Sequence, residues 1–315
     1  MDELKLIPPS PMFGGPPFPE SEELPEGTIS VKWEDAPAPM ADIVANVVYQ
    51  ELSGEQQHLQ ILKPMTMFAA PGAPAPKRPL IVYVPGSAWH RQSVWMGLSK
   101  ALAAVARGYI FAIVEYRPSD IAPFPAQTED AKTAIRFLRA HAEEYGIDPT
   151  KVVICGDSSG GHTASMVAIT GDDAFNAGGY ESESSAVSCA VDWFGPSDIA
   201  MMNYYPSGMD HHGEDSPEGF LIGRKNVLEN PELAQATNPI NYVSADKPLP
   251  PFLMMHGNAD NVVPFNQSVR LYEKLRECGK DVTFYKLEGA GHGSGGFNSP
   301  QATKVFYEFI EKVLK

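Results

Sequence analysis

A serine, an aspartate and a histidine in this chain stand where acyl-transfer chemistry would need them. Residues 152–164 read V-V-I-C-G-D-S-S-G-G-H-T-A and contain G-x-S-x-G as Gly156, Ser158 and Gly160. That pattern sets a serine on a strained strand-to-helix turn, with its hydroxyl projecting above a parallel sheet. Ser158 is the candidate nucleophile. It alone has glycine at both −2 and +2; with Ser159 in that role, Asp157 would crowd the −2 position. The letters G-D-S also occur in trypsin-like proteases. Those need an all-β chain and the order His…Asp…Ser, whereas strands and helices alternate here.

A serine hydroxyl is a weak nucleophile at neutral pH and needs a base. His292, in L-E-G-A-G-H-G directly after the last predicted strand, is flanked by small residues that leave its ring free to reach across the site. His256 ends a strand and supports the following turn, and His162 lies four residues into the helix after Ser158. His58, His90 and His141 fall on surface-like elements. The base needs an acid to hold its tautomer. Asp260, in H-G-N-A-D-N-V-V-P, follows a buried strand; Asp198, one strand earlier, is the rival, with a cap or loop brace as its plain role. The order Ser158…Asp260…His292 is that of α/β-hydrolases. The oxyanion needs backbone N–H donors, one from Ser159 and one from the loop after Val84, Pro85-Gly86-Ser87-Ala88-Trp89.

The elements that must hold these residues follow from hydrophobic period. Residues 43–49 and 58–62 read as a hairpin joined at Ser53-Gly54. Residues 80–84, 109–114, 187–194, 252–255 and 282–287 read as strands, most of them apolar enough to be buried on both faces. Between them lie helices with Leu98, Leu102 and Val105 on one face, a stripe of Ala131, Ile135, Leu138 and Ala142 over 129–145, a helix over 265–278, and a last helix carrying Val305, Phe309 and Val313. This alternation implies a mainly parallel sheet covered on both faces, with ligands beyond the carboxyl ends of its strands. About fifty residues between 199 and 250 have no clear pattern, a length typical of a functional insertion. They are expected to cap the site. Met201, Met202, Tyr204, Tyr205 and Phe220, with Trp89 and Trp193, are expected to line a substrate pocket or anchor the cap. The run Asp210-His211-His212-Gly213-Glu214-Asp215 lacks metal-ligand spacing and reads as a solvated loop.

Composition bounds the rest. With 43% apolar and 20% charged residues among 315, the chain is an ordinary globular one. A net charge of −15 and no Lys/Arg cluster argue against nucleic acid and anionic membranes as partners. Cys155, Cys189 and Cys278 are scattered and form no C-x-x-C, so buried free thiols are expected and a disulfide framework or zinc site is not. Residues 1–5 are acidic and lack a signal-peptide core, which points to the cytoplasm. Residues 1–42 are rich in Pro, Glu and Gly and cannot build a core. They read as a tail, or as an arm that packs Met12, Phe13, Phe18 and Trp33 on the body or on a second subunit, making a homo-oligomer.

Taken together, the segments 82–89, 156–162 (GDSSGGH), 191–198 (VDWFGPSD), 230–243, 251–264 (PPFLMMHGNADNVVP) and 289–293 resemble bacterial α/β-hydrolases of the acetyl-esterase and feruloyl-esterase type. These are similar to the hormone-sensitive-lipase group, whose oxyanion loop reads H-G-G-G-W. The resemblance spans residues 43–315. It implies one α/β-hydrolase domain with a cap insertion and a serine carboxylesterase cleaving esters of small acyl or aromatic acids without metal or other cofactor. By position it assigns the oxyanion amides to Ser87, Ala88 and Ser159. One departure stands out: Pro85-Gly86-Ser87-Ala88 replaces H-G-G-G. Serine and alanine tolerate fewer backbone conformations than glycine, so a reshaped hole or an added Ser87 hydroxyl donor is expected. An arylformamidase-like or peptidase-like amide hydrolase on the same triad is the alternative, and a non-catalytic binding protein the reading from a different class.

Overall fold

The strands that carry the site are apolar on both faces, and the structure sorts them by parity. In this computed structural model, residues 9, 21–23, 25–30, 40–52, 54–65 and 76–315 are described. The arm residues Met12, Phe13, Phe18 and Trp33, with the oligomer they suggest, and Ser53 of the hairpin turn lie outside them. The chain runs β1 (Ala41–Leu52), β2 (Glu55–Pro64), β3 (Arg78–Val84), α1 (Leu98–Val105), β4 (Ile110–Val114), α2 (Ala126–Ala140), α3 (Ala142–Tyr145), β5 (Ile147–Asp157) and α4 (Ser159–Thr170). It continues through β6 (Cys189–Trp193), α5 (Pro217–Leu221), α6 (Pro231–Thr237), β7 (Phe252–Gly257), α7 (Asn266–Glu277), β8 (Val282–Leu287) and α8 (Pro300–Val313).

The eight strands form one sheet in the order β1-β2-β4-β3-β5-β6-β7-β8. The β1–β2 hairpin pairs antiparallel and joins β4 antiparallel; every other pairing is parallel. Because side chains alternate along a strand, Leu80, Val82 and Val84 of β3 pack with α2, α4 and α7 on one face. Ile81 and Tyr83 pack with α1 and α8 on the other. Each fully buried aliphatic side chain contributes roughly 1.5–3 kcal/mol relative to exposure, so both layers hold the strand ends in place. This is the α/β-hydrolase sheet. The expected helix over 129–145 is two pieces, α2 and α3, broken at His141 and stopped by Gly146 at φ 74°. Cys155 and Cys189 are buried free thiols, and Cys278 is a partly buried one.

The connection from β6 to β7 is more ordered than its composition suggests. It holds a 3-10 turn at Ile199–Tyr204, then α5 and α6, then a 3-10 turn at Pro239–Tyr242. Each of α5, α6 and the second turn begins with proline after Ser216, Asn230 or Asn238; the Ser216 hydroxyl accepts from Gly219 N at 2.9 Å. Ile199, Leu221, Ile222, Val227 and Ala234 form a small core of their own, into which Trp89 inserts from the loop after β3. That insertion therefore sits on the carboxyl ends of the strands. Among the described residues, no helix is long and apolar enough to cross a membrane.

Candidate active site

At the end of β5 the backbone turns so sharply that two side chains would not fit. A Cβ on Gly156 would lie 2.2 Å from the Gly160 carbonyl oxygen, and one on Gly160 would lie 2.0 Å from that of Val84. Both distances are far inside contact, so glycine is required at each. Between them Ser158 sits at φ 53°, ψ −126°, a conformation that costs on the order of 1–3 kcal/mol for a residue with a side chain. The turn is held from outside by its N–H, which donates to the Trp193 carbonyl at 2.9 Å.

The loops after β7 and β8 bring two partners to that hydroxyl. Ser158 Oγ lies 3.1 Å from His292 Nε2, and His292 Nδ1 lies 2.8 Å from Asp260 Oδ2. An aspartate accepting at Nδ1 fixes the hydrogen there and leaves Nε2 free to take the serine proton. Asp260 Oδ1 accepts from the amides of Val262 (2.8 Å) and Val263 (3.0 Å). Burial alone would raise its pKa. Hydrogen bonds from His256 and His292 outweigh that and hold it well below the usual carboxylate range, so it stays ionised. The Phe194 ring stands edge-on to His292, 4.7 Å between centroids, and limits its swing.

Facing Ser158, residues 86–89 form a tight turn. The Ser87 N–H donates to Ser159 Oγ at 2.9 Å, Ser87 Oγ donates to the His90 carbonyl at 2.6 Å, and Tyr116 Oη lies 3.0 Å from Ser87 Oγ and 3.2 Å from Ser159 Oγ. Ala88 and Trp89 both take left-handed φ, 54° and 57°. Trp89 is pinned there because its Nε1–H donates to His162 Nδ1 at 3.1 Å and its carbonyl accepts from Ser119 N at 2.8 Å. His162 in turn donates from Nε2 to the Thr237 carbonyl at 2.7 Å; burial pushes its pKa down to about 4, so the ring is neutral. Among the described residues, no acceptor takes the N–H of Ala88 or of Ser159. These groups open on a cavity of about 370 Å³ whose wall includes Trp89, Met96, Phe194, Pro196, Met209 and Val263.

The chain matches the family described as BD-FAE over residues 66–275. The chain belongs to the BD-FAE family. The match takes in Ser158 and Asp260, while His292 lies beyond it. Among curated relatives, the esterase LipQ of Mycobacterium tuberculosis is 32% identical over 227 residues, 70% of this chain and 51% of that protein. The chain spans about half the length of the curated relatives it matches first. Among solved structures, a truncated carbohydrate esterase from gut microbiota superposes with a TM-score of 0.74 at 32% identity, covering 89% of this chain and 98% of that one. The propionate-bound esterase Est2 of Thermogutta terrifontis gives 0.67 at 25% identity, covering 89% and 96%.

In this family member several expected site residues fall elsewhere. Trp193 was expected at the substrate, but on β6 it shares the parity of Cys189 and Val191 and turns to the α1–α8 face. There its ring packs on Phe306 and Tyr83 and lines a separate cavity of about 170 Å³. Tyr204 is 66% exposed and Tyr205 partly buried; neither lines the 370 Å³ cavity. Trp89 does line it, though it is 1% exposed. Ser87 was expected to offer an oxyanion amide or a hydroxyl, yet its amide is engaged by Ser159 Oγ and its hydroxyl by His90. Asp198 is a brace: it pairs with Arg270 at 2.7 Å and accepts from Asn238 Nδ2 at 3.1 Å. His256 steadies the acid loop, 3.0 Å from the Val263 carbonyl and 3.3 Å from Asp260 Oδ2. The 210–215 run was expected to be a solvated loop, but His211 in it is buried. His212 donates to the Ala200 carbonyl at 3.0 Å, and His211 turns inward to Glu218. Glu218, Met209 and Pro217 were missed at the cavity, and only the unusual His pair at 211–212 hinted that the insertion carries polar groups inward.

Proposed function

We propose that this protein is a carboxylic ester hydrolase working through an acyl-enzyme on Ser158. The observation that carries the reading is the unbroken hydrogen-bonded path from Ser158 Oγ through His292 to Asp260, opening on the cavity. His292 Nε2 takes the serine proton as Oγ attacks the ester carbonyl carbon, and Asp260 stabilises the imidazolium that forms. The oxyanion is held by the N–H groups of Ala88 and Ser159, with Ser87 serving to fix the loop. Collapse of the tetrahedral intermediate breaks the bond to the alcohol, which takes its proton from His292. Water then attacks the acyl-enzyme carbonyl carbon, giving its proton to His292; collapse breaks the bond to Ser158 Oγ, which takes that proton back, and the acid leaves. The mostly apolar cavity suits short acyl or aryl groups. The relatives called esterases and the two neighbouring structures support ester chemistry for this chain.

Ser158→Ala tests the assignment. Hydrolysis of 4-nitrophenyl acetate is expected to fall by at least about 10³-fold, with an unchanged circular dichroism spectrum. Activity retained by the variant would remove Ser158 from the mechanism.

A further inference from the structure

The triad occupies one side of the cavity. The insertion supplies the other, and it carries a polar array that the ester chemistry leaves unused. His211 and Glu218 both line the cavity and are 1% and 2% exposed. His211 Nδ1 lies 2.9 Å from Glu218 Oε1, while Nε2 lies 3.0 Å from the Val262 carbonyl and 2.8 Å from Ser207 Oγ. The spacing of Ser207, His211 and Glu218 copies that of a catalytic triad, but its hydrogens run the wrong way. Ser207 Oγ donates to the Val262 carbonyl at 2.9 Å, so it offers His211 a lone pair. Nε2 therefore faces two acceptors and carries hydrogen, while Nδ1 and Glu218 Oε1 share one hydrogen between them. Burial works against a charged ring, yet the hydrogen bond and negative charge of Glu218 raise the pKa of His211 above its ordinary value.

Glu218 accepts only on Oε1. Its Oε2 is buried and has no donor among the described residues, and no other residue lining this cavity has such a buried, unpartnered side-chain atom. Of the other residues lining the cavity, Pro196, Met209, Pro217 and Val262 have side chains that offer no hydrogen. A buried carboxylate oxygen left unpaired is costly, so a donor belongs there. Sharing that hydrogen, Glu218 and His211 are neutral as a pair whichever of them holds it. A cationic ligand would leave the pair with surplus positive charge in a buried wall, whereas a neutral O–H would not.

We infer that Glu218 Oε2 accepts a hydrogen bond from a substrate hydroxyl, so that the preferred esters carry an O–H on the part lying under the insertion. This rests on the ester-hydrolase reading and adds the substrate class to it. A site built to accept from a hydroxyl rejects the analogue that lacks one. For a buried acceptor left unpaired by the analogue, the preference is expected to be roughly 10- to 100-fold in kcat/KM.

Two matched pairs test it: 4-nitrophenyl 3-hydroxybutyrate against 4-nitrophenyl butyrate for the acyl half, and 2-hydroxycyclohexyl acetate against cyclohexyl acetate for the alcohol half. The wild type is expected to prefer the hydroxylated member of one pair by that factor. Glu218→Leu should bring the ratio near one. Glu218→Gln, which keeps the shape of the side chain should leucine not fold, should lower the ratio by about tenfold. Ratios near one in both pairs for the wild type, or a preference that survives both variants, overturn the inference. Loss of all hydrolysis, 4-nitrophenyl acetate included, would instead overturn the ester reading. In that case calorimetric binding of the same pairs to Ser158→Ala and to Ser158→Ala/Glu218→Gln decides: tighter binding of a hydroxylated member that depends on Glu218 sustains the inference, and equal binding defeats it.

Discussion

Ser159 holds the 86–89 loop, the proposed oxyanion loop, through its hydroxyl, and that hydroxyl can be removed without touching the Ser159 amide. The loop it anchors keeps Ala88 and Trp89 in left-handed conformations, each costing roughly 1–2 kcal/mol in a residue with a Cβ. Ser159→Ala deletes the 2.9 Å bond from Ser87 N, worth about 1 kcal/mol, and leaves that N–H unpaired at a further cost of about 1–3 kcal/mol. The loss is comparable with the strain it offsets, so the loop should relax and carry the Ala88 N–H away from the oxyanion position. At about 1.4 kcal/mol per decade, kcat for 4-nitrophenyl acetate is expected to fall about 10- to 50-fold. KM should stay within about threefold, because the oxyanion contact strengthens in the transition state. Tyr116→Phe, which removes only the outer hydroxyl of the cluster, should cost about two- to fivefold in kcat. A folded Ser159→Ala enzyme with kcat within twofold of wild type would refute this account of the loop. A raised KM at constant kcat would move the hydroxyl's role to substrate binding.

Three further outcomes follow from the same geometry. His162 titrates near 4 when folded and near 6.5 when unfolded; the unfolded chain takes up a proton between those values. The stabilisation is complete above about pH 6.5 and is lost as pH falls toward 4, a swing of roughly 3 kcal/mol. In urea titrations at several pH values His162→Gln should flatten that decline, and an unchanged slope would contradict it. Gly160→Ala drives a methyl to 2.0 Å from the Val84 carbonyl and should cost more than about 3 kcal/mol, read as loss of soluble protein or a much lower melting temperature; near-wild-type stability would mean the elbow is looser than described. Tyr204→Ala, exposed and away from the cavity, should leave KM within about twofold and stability within about 0.5 kcal/mol, and a large KM change would return Tyr204 to the pocket.

The strands and their order of helices were readable because each is a short apolar run bounded by turn residues, and the sheet adds only their spatial order. Ser158, Asp260 and His292 were readable from chain order and flanking glycines, which locate residues at strand ends. What escaped depends on facing direction. Trp193 looked like a pocket residue by composition; counting two residues back to Val191 would have assigned it to the core face. Ser87 looked like a donor by position, but only the folded chain brings Ser159 Oγ to its amide. The insertion looked irregular because its helices are one or two turns long, too short for a period to show, although Ser-Pro and Asn-Pro pairs marked their starts. Glu218 had no local signal at all. Its meaning comes from His211, seven residues away, and from the acceptor it leaves free.

His211 touches Glu218 with one ring nitrogen and the Val262 carbonyl with the other. Val262 donates its own N–H to Asp260. One imidazole therefore ties the cavity-lining insertion to the segment that positions Asp260 beside His292. Divergence within such a scaffold is constrained at that point: an insertion borrowed from a relative can change length and lining freely, but it must bring its own strut to the Val262 carbonyl or give up part of the alignment of Asp260. Exchanges of the whole stretch between β6 and β7 should therefore succeed or fail as a unit with residues 260–263, which makes these two segments the natural co-inherited module for altering specificity.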